Sequence, residues 1–414
     1  MESLSPVTSL LTEDRLIFIH FEKTAGTSAN RALKKLFAPA EICPETSAAI
    51  ALWPTDTLER FRYFSAHAEL RDFDAVPRPA KIVTFLRDPV ERSLSLYEFW
   101  ASHTSAFIEQ HNLHYPRLAR SLSVEAFFSE ENHWRCKAAN HYSERLLGDS
   151  SRRDRAALAD PAGRAARAIE RLDQLDFVGI SEDLGTSFDR LSAALDIPNS
   201  YADEWDNETN KNHGVRPEVH DPVGFDDISQ AALDAVVHLN QADQIIYDHA
   251  VRRFYGAAVP ARTIKGVPGL AQLCTMRRTR THTWIENRTG GFLLTGPRIR
   301  LRPGRYSVTF DCQLRSPQED AAWPDIVGFV DVVAHNAALV LAHQPIPRGT
   351  LADRFTVEVI FDLARMVNDI EFRFVAAGQV PIDVSQVVTL RHAAAQPVAP
   401  PAIVTVPPTS EAQV

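Results

Sequence analysis

The sequence predicts an α/β domain, a parallel sheet flanked by helices, followed by an all-β sandwich or jelly roll. Up to about residue 256, short apolar runs alternate with helical patterns. From residue 283 onward only strand-like runs appear. The 414 residues are 45% hydrophobic and 23% charged, a mix suited to ordinary globular cores. The boundaries that follow are an α/β domain over 1–256, a linker over 257–282, a β-sandwich over 283–394, and a Pro-rich tail over 395–414 expected to be disordered.

The first element is RLIFIH (15–20), a β-branched and aromatic run that reads as a buried strand. KTAGTS (23–28) is a small-residue loop, and 29–37 reads as a helix. RYFS (62–65) gives a second strand and KIVTFL (81–86) a third, with the continuous apolar character of a central parallel strand. Pro89 suits the first turn of a helix running to about Trp100. FVGI (177–180) is a fourth strand, and helices are expected over 165–174 and 229–254. The C-terminal strands are expected over 291–294, 298–301, 305–314, 325–334, 338–342, 355–361, 370–376 and 382–390.

Net charge is −9, which argues against nucleic acid as a partner, since that needs a basic footprint. Cys43, Cys136, Cys274 and Cys312 form no CxxC pair and read as reduced thiols. Residues 1–14 lack a basic segment followed by an apolar core, and no run approaches a membrane span, so a cytoplasmic location is expected.

Two segments carry the chemistry. In His20-Phe-Glu-Lys-Thr-Ala-Gly-Thr-Ser28, a loop between strand and helix offers backbone N–H groups and a helix dipole to an anion. Lys23 adds a charge, Thr24, Thr27 and Ser28 add hydroxyls, and Gly26 admits a phosphate close to the backbone. Lys here precedes Gly, unlike the GxxxxGK[ST] nucleotide loop. In Arg87-Asp-Pro-Val-Glu-Arg-Ser-Leu-Ser-Leu-Tyr97, Arg87 leaves a strand's carboxyl end, where open α/β sheets bind ligands. Ser95 lies about two helical turns on, and Arg with Ser suits a phosphate.

Together these segments resemble the phosphosulfate and 3′-phosphate signatures of sulfotransferases that use 3′-phosphoadenosine 5′-phosphosulfate (PAPS). The flavour is that of the heparan-sulfate 2-O and 6-O enzymes and their bacterial relatives. The likeness extends to NHYSERLLG (140–148), FVGISED (177–183) and Leu239-Asn240, and covers about 13–256. It implies a P-loop-like sulfotransferase fold. Lys23, Thr24, Ala25, Gly26, Thr27 and Ser28 would hold the phosphosulfate, and Arg87 with Ser95 the 3′-phosphate. It also implies that no metal is required. A histidine between the two sites serves those enzymes as base, which makes His67 the candidate, with Glu69 as fallback. Lys23 would stabilise the leaving phosphate. Asn140 and Arg145 resemble an element that could face the acceptor. The family usually has Pro before the Lys, where this chain has Glu22, expected to face solvent or pair with a base.

The acceptor implied is a carbohydrate hydroxyl, with a protein tyrosine or small molecule as alternatives. A nucleotide-dependent kinase and a non-catalytic glycan-binding scaffold remain as other classes. His103, His111, His114, His133 and His141 match no compact metal-ligand set and are expected around the acceptor cleft. Trp284, Trp323 and Phe329 could stack a sugar but read more readily as core or rim. The β-region is a candidate for glycan binding or for oligomerisation.

Overall fold

The structure is a computed structural model that describes residues 14–128, 138–149, 159–199, 219, 228–256, 262–265, 267–268, 274–278, 283–287, 290–296, 298–315, 323–378 and 380–393. His133, Cys136, the polar loop 207–216 and the tail 395–414 lie outside the described residues. The chain divides into two compact units, Met1–Val259 and Pro260–Val414.

The first unit is built on four parallel strands: β1 (Arg15–Ile19), β2 (Tyr63–Ala66), β3 (Ala80–Leu86) and β4 (Phe177–Ile180), in the order β2-β1-β3-β4. Leu16 to Ile19 are all buried, as a central strand covered on both faces requires. The helices are α1 (Gly26–Lys34), α2 (Thr55–Leu58), α3 (Pro89–Ala101), α4 (Ser105–Gln110), α5 (His114–Ser121), α6 (Val124–Phe127), α7 (His141–Leu147), α8 (Pro161–Leu172), α9 (Leu184–Leu195), α10 (Gln230–Leu239) and α11 (Gln241–Tyr255). One apolar core joins the sheet to α1, α7, α8, α9 and α11.

Local chemistry sets the boundaries nearest the site. Asp88 caps α3, its carboxylate accepting from the backbone N–H of Val90 at 2.8 Å and of Glu91 at 3.0 Å, with Pro89 in the first turn. The expected helix over 229–254 is two helices, broken at Asn240. Asn240 donates its side-chain amide to Val236 O at 2.9 Å and accepts from Asn140 N–H at 3.2 Å, bonds that compete with helix continuation.

The second unit is all β. Its strands are β5 (Arg262–Lys265), β6 (Val267–Pro268), β7 (Cys274–Arg278), β8 (Thr283–Asn287), β9 (Gly291–Thr295), β10 (Ile299–Leu301), β11 (Gly304–Leu314), β12 (Ile326–Ala334), β13 (Leu339–Pro347), β14 (Arg354–Leu363), β15 (Val367–Ala376) and β16 (Ile382–Ala393). One sheet runs β13-β12-β15-β9-β6, with β10 on β15; the other runs β14-β11-β16-β8-β7, with β5 on β16. All the pairings within these two sheets are antiparallel. Alternating residues such as Val308, Phe310, Phe372 and Phe374 supply the core. The expected linker over 257–282 therefore needs correction: β5, β6 and β7 lie inside it and belong to the sheets. These strands are short and carry Arg and Pro, so apolar periodicity does not mark them.

Trp284, Trp323 and Phe329 take core and rim positions, as the sequence favours. Trp284 is buried on β8 of one sheet, while Phe329 is half-buried on β12 of the other, against His343. Trp323 packs on the core. Cys43 and Cys312 are buried, and burial pushes both thiols up, which keeps them unreactive.

Candidate active site

The site forms where β1, β2 and β3 end. Phe21, packed edge-on to Tyr142, directs the chain out of β1. Lys23 (φ 67°) and Ala25 (φ 58°) both adopt the left-handed conformation, which costs a non-glycine residue about 1–2 kcal/mol. Three bonds hold this loop. Thr24 Oγ1 donates to Phe21 O at 3.0 Å, Ser181 Oγ donates to Thr24 O at 2.7 Å, and Arg87 Nη1 reaches Lys23 O at 3.4 Å. Helix α1 follows at once, and the N–H groups of its first turn have no carbonyl within the helix to meet. A loop and helix start of this kind offer N–H groups to an anion.

Gly26 has a second duty. A Cβ there would collide with the His20 imidazole, which packs on the helix start. His20 stacks on Phe18 and lies 4.2 Å, ring centre to centre, from His67. Burial, reinforced by His67, pushes the His20 pKa down to about 3, so this ring stays neutral.

His67 sits just past β2. Its N–H donates to Thr46 O at 3.0 Å, and its Nδ1 lies 2.8 Å from His20 O. A carbonyl oxygen only accepts, so Nδ1 carries the hydrogen and Nε2 presents a lone pair. Glu69 is buried, paired with Arg71 at 2.7 Å, and does not line the cavity described below.

Arg87 leaves β3 as expected and is half-buried. Tyr142 pins it there: the phenol donates to Arg87 O at 2.7 Å and accepts from Arg87 N–H at 3.1 Å. Burial, then the charge of Arg87, lowers the Lys23 pKa to about 8, with Glu98 opposing. The Lys23 ammonium lies 4.9 Å from the centre of the Phe99 ring. Two cations brought together at neighbouring strand ends mark a place that an anion would stabilise. Ser95 is buried on α3, Ser28 is buried on α1, and Thr27 is exposed. Thr24 is fully buried and spends its hydroxyl on Phe21 O, so its contribution to an anion is limited to the backbone.

Glu22 faces inward. Its carboxylate lies 2.6 Å from His141 Nε2 and 3.4 Å from Arg145 Nη2. Of the two residues expected to face an acceptor, Arg145 is engaged by Glu22. Asn140 is buried, and its side-chain oxygen accepts from the backbone N–H of Ala242 and Asp243, closing the start of α11. Asn140 thus closes a helix start and does not line the cavity described below.

A cavity of about 540 Å³ opens beside the loop. Its polar end is His20, Glu22, Lys23, Thr27 and His67. The rest is largely apolar and aromatic: Leu96, Phe99 and Trp100 from α3, then Leu113, Tyr115 and Pro116 at the start of α5, with His103 and His114. His20 and the α3–α5 wall are what sequence reasoning missed; a histidine adjoining the small-residue loop was the one available signal. His111 packs at a tilt against Phe107 and does not line the cavity. Among the described residues no group of three or more His, Cys, Asp or Glu could hold a metal, and no helix is long and apolar enough to cross a membrane.

No family model matches the chain. A curated protein from Arabidopsis thaliana, "Protein-tyrosine sulfotransferase", is 30% identical over 103 residues. That match covers 24% of this chain and 20% of the Arabidopsis protein, so the chain spans about a fifth of the length of this relative. Among solved structures, the C-terminal CBM6 of LamC from Zobellia galactanivorans matches 32% of this chain and 98% of its own, at 10% identity and TM-score 0.24. The carbohydrate-binding module CBM6cm-2 of Cellvibrio mixtus lichenase 5A matches 31% of this chain and 95% of its own, at 13% identity and TM-score 0.22. The relation these comparisons support is a distant one, over a quarter of the chain, to a sulfotransferase.

Proposed function

We propose that the Met1–Val259 unit transfers a sulfuryl group from PAPS to a hydroxyl acceptor. The observation that carries this reading is that Lys23 and a base-competent His67 line one cavity, with Arg87 held to the Lys23 carbonyl beside it.

The residues present fit such a donor. The left-handed loop and the first turn of α1 offer N–H groups to the 5′-phosphosulfate, with Lys23, Thr27 and Ser28 beside them. Arg87 with Ser95 is assigned to the 3′-phosphate. When bound, the donor supplies an activated sulfur with a good phosphate leaving group. His67 Nε2 takes the proton from the acceptor hydroxyl as the new O–S bond forms and the bridging S–O bond breaks. Lys23 meets the negative charge that gathers on the departing phosphate, which leaves as 3′-phosphoadenosine 5′-phosphate. His20 O fixes the His67 tautomer, and the neutral His20 ring beside it adds no competing positive charge. Positioning and charge stabilisation do the catalytic work, as in phosphoryl transfer.

Calorimetric titration with 3′-phosphoadenosine 5′-phosphate, and with ATP plus magnesium as control, tests the reading. Metal-free binding of the former is expected, with a loss of about 2–5 kcal/mol in Arg87→Ala. His67→Ala should keep that binding and lose roughly 10²–10⁴-fold in kcat. Binding of ATP with magnesium alone would overturn the proposal in favour of a kinase.

A further inference from the structure

Gly26 opens α1, and its backbone does not require a glycine, since it is not among the positive-φ residues. Close approach of a phosphate is one reason for glycine at such a place. The structure holds another. A Cβ on residue 26 would fall on the Cδ2 and Nε2 atoms of His20, well inside contact distance. The missing side chain makes room for the His20 ring.

That ring joins the helix start to the base. His20 follows directly on β1, and its N–H donates to Ala66 O at 3.2 Å. Its imidazole stacks on Phe18, with centres 5.3 Å apart and planes 18° from parallel. It lies over Gly26, and its centre is 4.2 Å from that of His67. The His20 carbonyl also accepts from His67 Nδ1 at 2.8 Å. His67 is itself exposed. A single hydrogen bond fixes one atom of an imidazole and leaves its plane free to turn. The His20 ring supplies the second contact, and with it the direction of Nε2. His20, Lys23, Thr27 and His67 all line the same cavity.

Resting on the sulfuryl-transfer reading of this site, we infer that His20 is a positioning residue: its ring, seated on Gly26, sets the distance and angle of His67 to the donor loop, and residue 26 is glycine to seat that ring. Transfer tolerates little error in this geometry, since a displacement of about 1 Å can cost roughly 10²-fold in rate.

The test is a mutant cycle on the full chain. Turnover is read as release of 3′-phosphoadenosine 5′-phosphate from PAPS, with N-acetyltyrosine methyl ester or methyl β-glucoside as hydroxyl probe and water alone as baseline. Nucleotide affinity is read by calorimetry. His20→Ala should lower kcat by roughly 10–10²-fold, with the KM for PAPS and the nucleotide affinity within about twofold of wild type. Gly26→Ala should lower kcat by a similar factor, because its Cβ displaces the same ring. The double variant should be slower than either single one by no more than about twofold, since the seat matters only while the ring is there. His20→Phe, which keeps a ring and discards both nitrogens, should recover most of the turnover lost in His20→Ala. Beside Gly26→Ala it also carries the test should His20→Ala lose its melting transition. Effects that multiply in the double variant overturn the inference. So does a Gly26→Ala loss that lies in nucleotide affinity whatever stands at position 20, which returns the glycine to the phosphate. A His20→Phe variant as slow as His20→Ala, with nucleotide affinity intact, overturns it as well, by giving the ring nitrogens a direct part. Failure of the wild type to bind the nucleotide, or to release it from PAPS, instead overturns the sulfuryl-transfer reading beneath.

Discussion

Lys23 shows how one residue's charge is set by its neighbours. Its ammonium is withdrawn from water and set against Arg87, and these two effects bring its pKa to about 8 although Glu98 pulls the other way. In the unfolded chain the same lysine titrates near its usual value, about 10.4. Between those two values the unfolded state holds a proton that the folded state has shed, so Lys23 makes stability rise with pH across that window. Below it, folding bears the cost of a buried cation without a strong counter-charge. An anion at the loop reverses the situation by favouring protonated Lys23. Binding of 3′-phosphoadenosine 5′-phosphate should therefore take up a proton above about pH 8 and weaken as pH rises through that value. Calorimetry in two buffers of different ionisation enthalpy measures the uptake directly. In Lys23→Met the uptake should vanish and affinity should fall by roughly tenfold or more at pH 7, the loss expected for a charge-assisted contact. A wild-type affinity flat from pH 7 to 9.5 would place Lys23 outside the anion site.

At the scale of elements, the site depends on two helix starts made far from it. Asn140 adopts the left-handed conformation (φ 43°) just before α7 and gives its side-chain oxygen to the first N–H groups of α11. In return Asp243, in α11, accepts from the N–H of Tyr142 at 2.7 Å and of Ser143 at 2.9 Å. The two helices cap each other, and Tyr142 passes that order to Arg87 through its phenol. Asn140→Ala should cost about 1–2 kcal/mol, as other cap losses do, and lower the melting temperature by about 2–4 °C per kcal/mol. Nucleotide affinity in Asn140→Ala should stay close to wild type, whereas a residue that touches the acceptor would change KM and leave stability alone. The strands β1, β3 and β4 were legible in the sequence because buried parallel strands are continuous apolar runs. So was the loop, because small residues between strand and helix have few other uses. The mutual caps, the Glu22–His141 contact and the His20 ring over Gly26 were not, since each joins residues that only the folded chain brings together. Asn140 is a particular case: the hydrogen bonds of its side-chain oxygen to the start of α11 join residues 102 and 103 positions apart, and no local pattern announces them.

For the whole molecule, the decisive fact is that the two apolar cores share no residue. One is drawn from Leu16 to Phe254, the other from Ile285 to Leu390. Among the described residues each unit has its own buried core and its own sheets. Cooperativity in unfolding follows shared cores, and a chain built this way should unfold in two steps. The residues assigned to the donor all lie in the first unit, so a ligand for that site stabilises one step only. Differential scanning calorimetry of the full chain should show two transitions. Nucleotide at about 100 times its Kd should raise the first unit's transition by the equivalent of about 2.7 kcal/mol and leave the other in place. Intrinsic tryptophan fluorescence helps assign the steps, because four of the six tryptophans, Trp53, Trp100, Trp134 and Trp205, belong to the first unit and Trp284 and Trp323 to the second. A single transition that moves as a whole with nucleotide would mean that the units are coupled through surfaces outside their cores. It would then make the β unit part of the donor site's stability, and its removal should weaken nucleotide binding.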